Sequence, residues 1–313
     1  MAHKPSQQEQ QLTQRIRTNE SHIATLAEGF LIERKARNLT AGTVNFYREK
    51  LKGFLVWADA LAVTEIDQLT PAVIRTYLLY LEETGHTAGG IHAFYRTLRA
   101  FAKWYADEFD RPDFQPFAKV KAPHVPQELL EPAAIEDIRA MLATCADNFT
   151  GVRDRAILLF LLDTGVRANE LLQLNRVDLD TVTGTTLIRM GKGRKPRYVF
   201  TGRKTRRALR AYLKRRDDTS IAVFVTIDRE RLTYNGLREI VRRRARRAGI
   251  HPPKLHSFRR AFALLMLRAG VDVFSLQRLL GHSGLEVLRR YLAQDADDLH
   301  AAHDRAGVVD RAL

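Results

Sequence analysis

Residues 185–200 read TTLIRMGKGRKPRYVF, and here the apolar period drops from that of a helix to that of a strand. Two short β-prone runs flank a turn built from glycine, lysine and proline, which is the pattern of a hairpin. IAVFVT (221–226) reads as a further strand. Nearly everything else follows helical spacing. The fold class is therefore mainly α with a small β-sheet, an α+β arrangement.

Working outward, helices are expected at about 203–216, 233–248, 257–269 and 273–280 on the C-terminal side. On the N-terminal side AILLFLL (156–162) reads as a buried helix stopped by Gly165, preceded by a helix carrying Ile135, Ile138 and Leu142. Further back, prolines at 112, 116, 123, 126 and 132 forbid continuous helix and favour an extended connection, in which Lys119 and Lys121 suit either a strap passing a polyanion or a plain solvated linker. Before it come four helical stripes: Ile23 to Leu31; Val44 to Leu55 behind a Thr40 cap; Val73 to Leu81 behind Thr70-Pro71; and Ile91 to Tyr105. Short connections make these a bundle. The expected layout is a flexible N-terminus (1–20), a helical domain (21–110), a linker (111–128) and a second domain (129–313). No fixed-period repeat is present.

The chain has 51 Lys+Arg against 36 Asp+Glu, a formal net charge of +15, with an ordinary 45% apolar share. Such an excess concentrates polyanions, with nucleic acid first. No apolar run reaches membrane-spanning length and no signal-peptide pattern opens the chain, so a cytoplasmic, nucleoid-associated protein is expected. A lone cysteine, Cys145, excludes an intrachain disulfide framework and a thiolate-rich metal site.

Four separated places carry chemistry. TGVRANEL puts Arg167 just past the Gly165 break, where Glu170 or Asp163 are available as ion-pair partners. GKGRKPR places Lys192, Arg194, Lys195 and Arg197 on the hairpin turn. LHSFRRAF sets His256 and Arg259 one helical turn apart. GHSGLEVLRRY supplies His282 and Tyr291. Singly, each has a structural explanation. Together they suit attack on a phosphodiester: a phenol as nucleophile, arginine forks for the charge on the non-bridging oxygens, a lysine to protonate the leaving oxygen, and histidines to relay protons. No metal or other cofactor is needed for those roles.

The order Arg…Lys…His-x-x-Arg…Gly-His…Tyr, with these motifs and gaps, resembles the tyrosine recombinase family of phage integrase and Xer-like enzymes. NLTAGTVNFYREKLKGFLVWA (38–58) is also similar to the second helix of that family's core-binding domain. The resemblance implies an N-terminal four-helix, SAM-like core-binding domain and a C-terminal catalytic domain that close on duplex DNA as a clamp. It implies that Arg167 and Arg259 hold the scissile phosphate and that Lys192 is the general acid, with Lys195 the second candidate. His256 would assist proton transfer, His282 would donate to the phosphate, and Tyr291 would form a 3′-phosphotyrosyl link. Glu170 would orient rather than react. It further implies two strand exchanges through a Holliday junction in a homo-tetramer on double-stranded DNA bearing specific sites, with or without a partner recombinase. A tail helix carrying Leu299, Ala302, Ala306 and Val309 on one side could pack on its own domain; the resemblance implies instead that it docks on a neighbouring protomer.

Two other readings fit less of the chain. A type IB-like topoisomerase would use a similar residue set on one duplex. A helix-turn-helix regulator would bind DNA without cutting it, leaving Arg167, Lys192 and Tyr291 unexplained. VRRRARRAG (241–249) is expected to be either a phosphate-facing helix edge or a solvated basic face.

Overall fold

The computed structural model describes residues 21–126, 131–189, 196–281 and 300. The expectations for residues 1–20, for the turn bearing Lys192 and Lys195, for His282 and Tyr291, and for the tail helix lie outside these. The chain divides into two compact units, Met1–Glu128 and Leu129–Leu313. Among the described residues no helix is long and apolar enough to cross a membrane.

The first unit contains α1 (Ile23–Ala36), α2 (Ala41–Asp59), α3 (Pro71–Glu83) and α4 (Ala88–Glu108). Threonines start three of them: Thr40, Thr70 and Thr87 each accept a hydrogen bond from a first-turn amide, at 3.2, 3.3 and 3.2 Å. Their stripes meet in a core that includes Phe30, Phe54, Tyr77, Leu98 and Phe101, with Phe30 edge-on to Phe101 at 5.7 Å. The proline-rich stretch begins as part of this unit rather than as a free connection. Phe114, Phe117 and Val120 pack on the bundle, the Tyr95 hydroxyl donates to Val120 O (3.0 Å), and Arg75 donates to Lys119 O (2.7 Å). The prolines prevent helix, but the phenylalanines between them are anchors.

The second unit is built around α6 (Phe149–Thr164), preceded by α5 (Ile135–Ala143) and capped by Asn148. Ala156, Ile157, Leu158, Phe160 and Leu161 are all buried, so α6 has little solvent face, as its uninterrupted apolar run requires. After it come α7 (Ala168–Leu172), β1 (Thr185–Ile188), β2 (Arg197–Phe200), α8 (Arg203–Lys214), α9 (Tyr234–Arg247), α10 (Leu255–Arg268) and α11 (Val273–Leu280). The strands form an antiparallel pair with Thr185 opposite Phe200 and Ile188 opposite Arg197. The fold is thus mainly helical with one small sheet. A satellite cluster of Phe262, Leu267, Leu276 and Leu280 binds α11 to α10.

IAVFVT is not a strand. Its middle, Ala222 to Val225, is buried and bends, with isolated bridges at Ala222 and Val225, while Ile221 is exposed. Side chains satisfy much of its backbone instead of a ladder. Arg216 donates to Ala222 O (3.0 Å) and Val223 O (2.7 Å), Arg153 donates to Val225 O (3.0 Å), and the Tyr212 hydroxyl accepts from Val225 N (3.2 Å).

Candidate active site

Helix α6 ends because Gly165 turns left-handed, at φ +59°. Only glycine fits there: a Cβ would lie 2.4 Å from Phe262 Cδ1. The break turns the chain so that Arg167 starts α7. Its own N–H donates to Glu170 Oε2 (2.8 Å) and its Nη1 to Glu170 Oε1 (2.9 Å). Of the two carboxylates open to it in the sequence, Glu170 is the partner; Asp163 instead accepts from Gly202 N (2.7 Å). The Arg167 side chain remains about a quarter exposed, at 26%.

Arg259 comes from the first turns of α10 and is buried, 1% exposed. Its Nη1 donates to Gly165 O and its Nη2 to Leu280 O, both at 2.7 Å. It therefore joins the end of α6 to the end of α11. His256, one turn earlier, stays exposed beside the arginines. Crowding by surrounding protein, then the charges of Arg260, Arg259 and Arg167, push its imidazole down to about 4. That influence places His256, Arg259 and Arg167 in one electrostatic neighbourhood.

Arg197 was expected on the hairpin turn. It is the first residue of β2, its side chain 9% exposed and turned inward. Nη1 and Nη2 form a fork on Glu170 at 2.9 and 2.7 Å, and Nε donates to Leu279 O (2.9 Å). The last carbonyls of α11, which have no partner within the helix, are thus taken by Arg197 and Arg259. Gly281, left-handed at φ +65°, closes α11 over Arg197; a Cβ there would lie 2.9 Å from Arg197 Cδ. Burial alone would raise the Glu170 carboxyl, but hydrogen bonds and charge from Arg197, then Arg167, hold it below the usual range. A signal for Arg197 existed: it shares a strand face with Val199, which is buried.

Of the residues singled out from sequence, Arg167, His256 and Arg259 come together here. Lys192, Lys195, His282 and Tyr291 lie outside the described residues. The basic run 241–249 is divided. Arg244 is buried on Asp154 (2.8 Å from Nε), which also receives Arg153 and Arg243, whereas Arg242, Arg246 and Arg247 are exposed. Phe258 is fully packed and Arg260 reaches Glu131 O at 3.3 Å. Among the described residues no group of three or more His, Cys, Asp or Glu could hold a metal.

Family models match both units: the phage integrase family over residues 134–297, and the phage integrase N-terminal SAM-like domain over 28–109. The class is that of DNA-recombining enzymes. The chain is 33% identical over 282 residues to tyrosine recombinase XerC 2 of Ralstonia nicotianae, covering 85% of this chain and 80% of that one. It is 31% identical to tyrosine recombinase XerC of Oceanobacillus iheyensis, covering 91% and 95%. The fold matches the Tn1549 transposon integrase in complex with a circular intermediate DNA, with TM-score 0.70, 18% identity and coverage of 91% and 99%. It also matches the XerH site-specific recombinase bound to a palindromic difH substrate, with TM-score 0.68, 22% identity and coverage of 92% and 84%. The chain belongs to the phage integrase family and is a tyrosine recombinase, a DNA-binding enzyme of DNA recombination.

Proposed function

We propose that the protein is a site-specific recombinase that cuts and rejoins double-stranded DNA through a 3′-phosphotyrosyl intermediate on Tyr291. The phenol oxygen attacks phosphorus, the P–O5′ bond breaks, and Lys192 supplies the proton to the departing 5′ oxygen. Arg167 and Arg259 hold the non-bridging oxygens as their charge grows, and His282 donates to the same phosphate. His256, beside the two arginines, assists proton transfer from the phenol. The phosphotyrosine retains the diester's bond energy, so a free 5′ hydroxyl from another DNA rejoins the strand without a nucleotide cofactor.

In this reading residues 21–110 are the core-binding domain, 111–128 the linker, whose first part packs on that domain, and 129–313 the catalytic domain. Four copies on two sites exchange strands in two rounds through a Holliday junction, at the nucleoid. The observation that carries the reading is the convergence at Gly165: Arg259 bonds its carbonyl and Arg167 stands two residues beyond, with His256 alongside.

The test is a nicked suicide substrate containing the recombination site. Wild-type protein is expected to acquire a denaturant-resistant DNA adduct in the presence of EDTA. Tyr291→Phe should form none while binding the same DNA unchanged. An adduct that persists in that variant removes Tyr291 from the role.

A further inference from the structure

The geometry points to Arg197 as a positioning residue for strand cleavage: it neutralises Glu170 so that the charge of Arg167 remains available to the scissile phosphate. This rests on the function proposed above. Glu170 is nearly sealed from water, its side chain 4% exposed, and its two oxygens are shared between two cations. Oε1 receives Nη1 of both Arg167 and Arg197 at 2.9 Å, and Oε2 receives the Arg167 amide at 2.8 Å and Arg197 Nη2 at 2.7 Å. Arg197 presents the planar two-point grip and is the more buried partner; Arg167 makes one side-chain bond and keeps solvent access.

The charge count of this trio explains why Arg197 is needed. Two guanidiniums and one carboxylate leave a net charge of +1, located at the arginine that faces outward. Without Arg197, Arg167 would be the cation of this trio left on a buried carboxylate, and the trio would be neutral. A carboxylate in that setting draws its remaining partner inward, because an unpaired buried charge is costly. Arg167 would then answer to Glu170 before it answered to phosphate. Arg197 also fixes the reach of the trio, since its Nε is tied to Leu279 O and its stem lies beneath Gly281. A lysine could supply the charge at this site but not the fork and the third bond together.

The experiment measures single-turnover adduct formation on the suicide substrate, beside thermal unfolding and DNA affinity. Arg197→Met is expected to slow cleavage about 100-fold, the size of effect seen when one oxyanion-stabilising donor is lost, with DNA affinity within about threefold of wild type. The distinguishing variant is Arg197→Met combined with Glu170→Gln. That pair restores a net +1 at Arg167, so it should cleave at least about 10-fold faster than Arg197→Met alone. Arg197→Lys, which keeps charge and much of the volume, should fall between wild type and Arg197→Met. If the double variant is no faster than the single, the arginine acts only as a structural brace and the inference fails. If Arg197→Met cleaves as fast as wild type, it fails as well. Wild-type protein that forms no adduct would instead overturn the functional reading, and this inference with it.

Discussion

His256 shows how a single side chain's surroundings set its chemistry. An imidazole ordinarily titrates near 6.5, and here crowding and the neighbouring arginines push it down to about 4. Between those two values the unfolded chain holds a proton that the folded chain refuses. Stability linked to the neutral ring is therefore complete above pH 6.5 and is lost as pH falls toward 4. His256→Gln should flatten the dependence of stability on pH across that window and change little at pH 7. Urea midpoints for both proteins at pH 7 and pH 5 check this, and parallel falls would show that the ring is not the titrating group. Legibility at this scale followed local spacing. His256 and Arg259 were visible because one helical turn links them. Arg197 was noticed only as one more cation near a turn, since its partner Glu170 lies far off in the chain and only folding makes them neighbours.

Elements were legible where a repeating pattern defined them. The threonine caps, the apolar stripes of α1 to α4, the Gly165 stop and the change of period at the hairpin are all local signals, and the structure carries each of them. IAVFVT failed because strand propensity describes a residue's fit to a pleated surface and does not supply a neighbouring strand. In its place Arg216, its side chain 1% exposed, is held by Asp218 and feeds the carbonyls of Ser220, Ala222 and Val223. The five-residue α7 was equally hidden, because its start is secured by Arg167 and Glu170 rather than by an apolar repeat. The consequence is that one arginine should hold the 216–226 segment. Arg216→Ala would leave buried carbonyls without donors and Asp218 with only the more distant Arg176 as its cation, at 3.5 Å, at a cost of about 3–5 kcal/mol. Chemical denaturation measures it, and a loss below about 1 kcal/mol would show that backbone bridges alone suffice.

At the scale of the whole molecule, the +15 charge is not all available to DNA. Arg153, Arg216 and Arg244 are bound to interior carboxylates or carbonyls and have no free reach to phosphate. Exposed cations occur in both units, among them Arg48, Lys52, Arg96 and Arg99 in the first, and Arg203, Lys204, Arg207, Arg238, Arg242 and Arg246 in the second. Each phosphate that such a residue neutralises releases condensed counterions, so log affinity should fall with log salt at about −0.9 per phosphate on duplex DNA. If both units grip the duplex, as the proposed core-binding role of residues 21–110 requires, the full chain should lose roughly 10³–10⁵ in affinity between 50 and 200 mM salt. A chain beginning at residue 129 should show a shallower slope, and the difference in slopes divided by about 0.9 counts the phosphates held by the first unit. The slope is the right quantity because a truncated protein can lose affinity for many reasons, whereas its salt dependence reports ionic contacts. Equal slopes for the two chains would mean that the helical bundle makes no ionic contact with the duplex, and the DNA-binding role proposed for it would have to be abandoned.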